Sequence, residues 1–241
     1  MQHDPKILIH TADSRGGGDH GWLKTRHSFS FAHWFDPDRM GFGALRVLND
    51  DLIMPESGFG THGHENMEII TVVNTGEITH RDSMGSEGRI LAGEVQVMSA
   101  GSGVLHSEYN EGPEVLTLFQ IWITPNVRNV TPRYDERTFS GETVLGETLL
   151  VAPMDSGMDA LLIHQDAYIS RIILDAEHPL RYTLKDPTHG VYLFVVDGSI
   201  ETYGHHLSAR DALGIELVPE IPLTAKEHAS VLVIEVPMIS D

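Results

Sequence analysis

The sequence predicts a mostly β protein that is built from two similar β-barrel units. Helical periodicity is scarce, and short apolar runs rich in β-branched residues alternate with Gly, Asn, Asp and Pro. A second observation is an internal repeat. The segment Val72–Ile78 resembles Val195–Ile200, and a polar turn and another apolar run follow each of them. Two copies of one β-barrel unit explain both observations.

The apolar runs predict eight strands in chain order. These are Ala44–Leu48, Met67–Asn74, Glu94–Met98, Leu116–Ile123, Ala160–Ile163, Ile169–Leu174, Val191–Val196 and Ser230–Val236. Clusters of turn-forming residues predict turns at Asn49–Asp51, Asn74–Gly76 and Asp197–Gly198. Segment 124–146 holds prolines and scattered charges and is predicted to connect the two units. The expected domains are therefore residues 1–140 and 141–241.

Composition excludes several classes of protein. The 241 residues contain 16 Lys and Arg against 35 Asp and Glu, for a net charge of −19, so nucleic acids and anionic membranes are poor partners. No cysteine is present, which excludes disulfides and limits metal ligands to nitrogen and oxygen. Met1–Ile9 lacks the pattern of a signal peptide, and no apolar run approaches the roughly 18 residues of a membrane span. We expect a cytoplasmic monomer.

Two pairs of side chains predict a metal site. His62 and His64 are two residues apart, as are His106 and Glu108, and residues at this spacing on a strand face the same side. If the two segments are neighbours in a barrel, three imidazoles and one carboxylate converge. Such a shell suits a divalent first-row metal and leaves one or two coordination positions free. Glu68 is also in phase with the first pair, so the spacing alone leaves open which glutamate supplies the carboxylate.

The motifs around these residues resemble those of the pirin family of the cupin superfamily, in particular the bacterial pirin-like quercetin 2,3-dioxygenases. The matching segments are Asp19–Leu23, His27–Phe31, Phe35–Pro37, Leu45–Asp51, Phe59–Ile69 and His106–Asn110. The resemblance is dense over residues 10–135 and weaker beyond. Gly76 lies one residue later than the general cupin pattern expects, and Gly101 stands where a proline is usual. Both departures are characteristic of pirins.

The resemblance implies a bicupin, with two antiparallel jelly-roll β-barrels packed face to face. It implies that His62, His64, His106 and Glu108 are the metal ligands, which leaves Glu68 in the core or behind the ligands. The second barrel is expected to hold no metal. Counting back from Gly198 by the spacing of the first unit reaches Leu184 and Asp186 rather than two histidines.

The resemblance also implies the activity: O₂-dependent cleavage of a flavonol such as quercetin, with release of carbon monoxide. Glu108 is the expected general base for the flavonol 3-hydroxyl. One divalent ion is expected per chain. Fe²⁺ is favoured by the family, although the ligand set also accepts Mn, Co, Ni, Cu or Zn. The alternative is a metal-containing regulatory or binding protein without turnover, since some pirins act in that way.

An aromatic cluster near the N-terminus is a candidate wall for a substrate cleft. It contains Trp22, Phe29, Phe31, Trp34 and Phe35. Because aromatic side chains are more often core than ligand contacts, we expect packing rather than substrate binding for this cluster.

Overall fold

The computed structural model describes residues 4–139 and 144–238, and nearly all regular structure in these ranges is β. One 3₁₀ turn, Ala12–Ser14, is also present among them. The expected domain boundary at residue 140 lies outside the described residues. Within the described ranges, no helix has the length and apolar character that are needed to cross a membrane.

The first half of the chain contains twelve strands in the described residues. They are β1 (Lys6–His10), β2 (Gly16–Asp19), β3 (Leu23–His27), β4 (Leu45–Ile53), β5 (Ser57–His64), β6 (Glu68–Thr75), β7 (Glu77–Asp82), β8 (Glu87–Leu91), β9 (Glu94–Ser99), β10 (Val104–Asn110), β11 (Leu116–Ile123) and β12 (Arg133–Thr138).

The second half contains ten strands in the part that the structure describes. They are β13 (Gly146–Pro153), β14 (Leu161–Ile163), β15 (Tyr168–Leu174), β16 (Leu180–Thr183), β17 (His189–Asp197), β18 (Ser199–Thr202), β19 (His205–Ser208), β20 (Ala212–Glu216), β21 (Glu220–Ala225) and β22 (Ala229–Pro237).

The two halves share one sheet topology, which confirms the internal repeat. The first half has a large sheet of order β12-β9-β6-β11-β4-β3-β2 and a small sheet of order β5-β10-β7-β8. The second half has a large sheet of order β1-β20-β17-β22-β15-β13-β14 and a small sheet of order β16-β21-β18-β19. Gly76 and Gly198, the repeated turn glycines, both have φ of +74°. That left-handed conformation favours glycine and explains why it recurs at both turns.

The two large sheets share the main core. One cluster of buried side chains contains residues of both halves, and the rings of Phe119 and Phe194 meet across it at 5.2 Å between centroids. Strand β1 adds to this connection, because it pairs antiparallel with β20 at the edge of the second large sheet. Residues Lys6–His10 therefore belong to a sheet of the second half.

All eight predicted strands are present, with end points that shift by a few residues. Two of the three predicted turns are confirmed, at Asn74–Gly76 and Asp197–Gly198. The turn predicted at Asn49–Asp51 is wrong, because these residues lie inside β4. Asn49 and Asp51 are buried there and hydrogen-bond to side chains of β3, so polar character at this point marks an internal contact and not a chain reversal.

Candidate metal centre

The two predicted ligand pairs lie on adjacent antiparallel strands of the small sheet. Strand β5 carries His62 and His64, and β10 carries His106 and Glu108. His62 is the register partner of His106, and the register shifts between His106 and Glu108. This pairing is the neighbour relation on which the predicted metal site depended.

The structure brings the three histidines together. Ligand atoms of His62, His64 and His106 all lie within 4.8 Å of one another. His62 Nε2 is 3.0 Å from His106 Nε2, and the ring centroids of the three residues are 4.4–5.0 Å apart. Two nitrogens that each lie about 2.1 Å from one ion at about a right angle are separated by roughly 3 Å, so the spacing fits a shared metal.

The tautomer of His62 also fits a metal ligand. Its Nδ1 lies 2.8 Å from the carbonyl oxygen of Gly60. A carbonyl only accepts hydrogen bonds, so Nδ1 carries the hydrogen and the Nε2 lone pair is left facing His106. Metal-binding histidines commonly use this arrangement, in which a backbone carbonyl fixes the orientation of the ring.

Burial keeps the imidazoles of His64 and His106 neutral. Desolvation, assisted by the neighbouring His62, lowers the pKa of His64 to about 4 and that of His106 to about 3. Neutral imidazoles present lone pairs at neutral pH, which is the state a metal requires. His64 and His106 are therefore ready to bind a divalent ion without first losing protons.

Glu108 lies beside the histidines but is held by amides. Gln96 Nε2 donates to its Oε1 at 2.6 Å, and Gln120 Nε2 donates to its Oε2 at 3.0 Å. The side chain is buried, and this burial raises its pKa. Its nearest potential ligand partners are His80 and His106, whose ligand atoms lie within 4.8 Å of its own and of each other.

The sequence analysis missed His80. This fully buried residue of β7 is the register partner of Glu108, and its Nε2 lies 3.1 Å from Asp82 Oδ2. Its Nδ1 has no hydrogen-bond partner, nor does Nδ1 of His106. The spacing of His80 and Asp82 equals that of the predicted ligand pairs, and this signal could have identified the residue.

The other candidate carboxylate, Glu68, lies elsewhere in the core. It accepts a hydrogen bond of 2.6 Å from Ser99 Oγ, and burial raises its pKa. It belongs to none of the groups of potential metal ligands found among residues 4–139 and 144–238. Of the two glutamates that the spacing left open, Glu108 is thus the one beside the histidines.

The histidines open onto a cavity of about 450 Å³. Asn49, Asp51, Glu108 and Gln120 provide polar groups in its wall. The remaining large side chains are mostly aromatic, namely Trp22, Phe31, Phe59, Ile69 and Trp122. We refer to this space as the aromatic cavity. Its volume lies within the roughly 300–1,000 Å³ typical of small-molecule sites.

The N-terminal aromatic cluster divides between the cavity and other places. Trp22 and Phe31 line the aromatic cavity, while Phe29 is buried in the main core. Trp34 forms an isolated bridge with Phe31, and Phe35 is 70% exposed. Two of the five residues are therefore positioned to meet a ligand, against the expectation of packing alone.

The second half places different residues at the equivalent strands. In topology β16 and β21 correspond to β5 and β10, and they hold no histidine but carry buried Tyr182, Ile221 and Leu223. Ligand atoms of Asp166, Asp186 and His189 do lie within 4.8 Å of one another near these strands. The absence of a metal from this half remains a prediction.

Two family models match this chain. The Pirin model matches residues 9–123, and a model described as the quercetinase C-terminal cupin domain matches residues 149–236. The chain belongs to the pirin family. Among curated pirin relatives, a pirin-like protein of Caulobacter vibrioides is 44% identical over 224 residues, or 92% of this chain and 96% of the relative. The quercetin 2,3-dioxygenase of Escherichia coli K12 is 41% identical over 235 residues, or 97% of this chain and 100% of the relative.

Solved pirin structures confirm the bicupin fold. The bacterial pirin YhhW of Escherichia coli, crystallised in complex with nickel(II), superposes with a TM-score of 0.91 at 40% sequence identity. The match covers 97% of this chain and all of that one. Together with the histidine group, this relative supports a single metal ion in the pirin described here.

Proposed function

We propose that this pirin is a metal-dependent dioxygenase that cleaves the ring of flavonols such as quercetin with O₂ and releases carbon monoxide. The observation that carries the proposal is the group of three imidazoles opening onto the aromatic cavity. We further propose that His62, His64, His106 and Glu108 are the ligands, and that Fe²⁺ is the ion. Relatives named quercetin 2,3-dioxygenase support the reaction class.

The residues of the chain have separate tasks in this reaction. A bound divalent ion would lower the pKa of the flavonol 3-hydroxyl and hold the resulting anion. Trp22, Phe31 and Trp122 provide flat apolar surfaces for the planar ligand and exclude water from it. Three imidazoles add no charge to the ion, so with one carboxylate the formal charge of the centre is about +1, which suits a ligand with one negative oxygen.

Glu108 is the proposed proton acceptor. Burial raises its pKa, which brings the carboxylate closer to the working pH than an exposed glutamate and makes it a better base. Gln96 and Gln120 donate to its two oxygens and fix its orientation. The proton of the 3-hydroxyl would be taken up on one of these oxygens while the amides hold the rest of the group in place.

The test is turnover by protein loaded with one metal at a time. Quercetin is added in air, and the loss of flavonol absorbance and the release of carbon monoxide are measured. We expect turnover above that of the metal-free protein, and we expect the His62→Ala variant to lose both metal and turnover. His206→Ala replaces an exposed histidine of β19 and is the matched control, which should retain both.

Two results would reject the enzyme proposal. One is a metal-loaded protein that turns over no faster than the metal-free protein, which would favour the regulatory alternative. The other is equal turnover by wild type and His62→Ala, which would mean that the reaction occurs away from the histidine group.

A further inference from the structure

One wall of the aromatic cavity is a polar segment of strand β4. Asn49 and Asp51 are two residues apart, and both line the cavity. Asp50 between them faces the opposite side of the sheet, where Arg15 and Arg210 each approach its Oδ2 to 3.4 Å. Successive side chains of a strand point to opposite faces of the sheet, so two of these three polar side chains point toward the aromatic cavity.

Each of the two side chains has one atom held by the protein and one left for the cavity. Asp51 Oδ1 accepts a hydrogen bond from Thr25 Oγ1, and Asn49 Oδ1 lies 2.8 Å from His27 Nδ1. No residue in the described ranges donates to Asp51 Oδ2 or accepts from Asn49 Nδ2. The wall therefore offers one acceptor and one donor with fixed orientations.

Holding the strands together does not require these groups. Strands β3 and β4 are already paired by backbone hydrogen bonds from Leu23 opposite Ile53 to His27 opposite Asn49. Apolar residues at the two positions would keep this backbone pairing. A carboxyl group that is only 4% exposed is costly unless it gains partners, and burial raises the pKa of Asp51 to about 7. A hydroxyl donor from a ligand would offset this cost.

The charge and shape of the cavity restrict which ligand can supply that donor. Glu108 is a second carboxyl group in the same wall, so at a pH above the raised pKa of these groups a ligand with a carboxylate or phosphate at this end is repelled. The aromatic side chains favour a flat ring system. The remaining class is a planar aromatic ligand with neutral hydroxyl groups at the end that meets β4.

We propose that Asp51 and Asn49 are specificity-determining residues that select flavonols with hydroxyl groups in addition to the reacting 3-hydroxyl. A phenolic hydroxyl donates to Asp51 Oδ2, and a neighbouring ligand oxygen accepts from Asn49 Nδ2. This inference rests on the proposed function, since it names the class of flavonol that the same site would take.

The experiment measures binding without turnover. The metal-loaded protein is titrated under anaerobic conditions with quercetin and with 3-hydroxyflavone, whose only hydroxyl is the one at position 3. The variants are Asp51→Asn, which keeps the size of the side chain, and Asp50→Asn, which makes the same change on the opposite face of β4. Metal content and thermal midpoint are recorded for each protein.

Wild type is expected to bind quercetin at least tenfold more tightly than 3-hydroxyflavone. At pH 8, where Asp51 with its pKa of about 7 is mostly charged, Asp51→Asn should weaken quercetin binding roughly tenfold or more, the range for loss of a hydrogen bond to a charged group. The same variant should change 3-hydroxyflavone binding less than about twofold. Asp50→Asn should leave the ratio of the two affinities unchanged. Equal weakening of both ligands by Asp51→Asn would overturn the inference.

If Asp51→Asn does not fold, the ratio of the wild-type affinities for quercetin and 3-hydroxyflavone still tests the inference. Equal affinities for the two flavonols would overturn it. Failure of the proposed function looks different. In that case quercetin is not consumed when air is admitted, whereas the preference for quercetin and its loss in Asp51→Asn are still measured in the anaerobic titration.

Discussion

The amides that hold Glu108 provide a quantitative test of how the candidate centre is built. Gln96 Nε2 donates to Glu108 Oε1 at 2.6 Å and to Thr71 Oγ1 at 3.0 Å, and all three residues are buried. In Gln96→Leu the carboxylate loses its shortest hydrogen bond without access to water. A hydrogen bond to a charged group is worth about 1.5–3 kcal/mol, so we expect the free energy of unfolding of the metal-free protein to fall by about that amount.

A double-mutant cycle isolates the contribution of the negative charge of Glu108 to this hydrogen bond. With Glu108→Gln the partner is neutral, and the cost of Gln96→Leu should fall to about 0.5–1.5 kcal/mol. Gln165→Leu is the matched control. That residue is also buried, but its Nε2 donates to the neutral carbonyl of Thr124 at 2.7 Å, so its cost should not depend on residue 108. The free energies are measured by urea unfolding after treatment with a chelator.

The pH dependence has a definite sign. Burial raises the pKa of Glu108 above its unfolded value, so the folded state keeps the proton to higher pH and this group contributes less stability as the pH rises through that range. Removal of the Gln96 donor raises the pKa further. The cost of Gln96→Leu should therefore be larger at pH 8 than at pH 5. Additivity of the two substitutions within about 0.5 kcal/mol, with no pH dependence, would refute the reasoning.

Three further predictions concern other parts of the molecule. His10 is buried and forms a hydrogen bond with the hydroxyl group of Tyr192, and desolvation lowers the pKa of its imidazole to about 4. Between pH 6.5 and 4.5 the wild type should thus lose about 2 kcal/mol of stability that His10→Gln does not lose, as measured by urea unfolding. Gly76→Ala should lower the free energy of unfolding by at least about 1 kcal/mol more than the control Gly85→Ala does. Both glycines have positive φ, but only at Gly76 would the new Cβ lie against a backbone atom, Val115 O, at 2.9 Å. A chelator should lower the thermal midpoint of the metal-loaded wild type. An ion at 100 times its Kd stabilises the folded state by about 2.7 kcal/mol, and the chelator removes this contribution. An unchanged midpoint would contradict a metal site in the folded protein.

The sequence predicted the apolar strands well and the polar ones poorly. Strands such as β11 and β22 carry continuous β-branched and aromatic runs, and burial on both faces imposes that composition. Strand β5 reads Ser-Gly-Phe-Gly-Thr-His-Gly-His and has no apolar run. It is a strand because β10 pairs with it, a long-range relation that local propensity does not contain.

Some residues of the candidate site were likewise predicted from the sequence, and others were not. The i, i+2 spacing predicted that the histidines share a face, and the convergence of His62, His64 and His106 is confirmed. His80 and Gln96 come from other strands, and only the pairing of β7 with β10 and of β9 with β6 brings them behind Glu108. Asn49 and Asp51 were assigned to a turn, because local preferences of Asn and Asp outweigh the possibility of a polar cavity wall when tertiary partners are unknown.

The two halves have the same strand order and differ in the side chains that their strands carry. Both halves use the same strand order, so the fold alone supplies a place for ligands in each. In the second half, Tyr182 of β16 is fully buried, and its hydroxyl donates to the buried Glu235 at 2.7 Å. The candidate metal centre therefore depends on a few side chains of β5 and β10, and the bicupin fold holds these strands side by side.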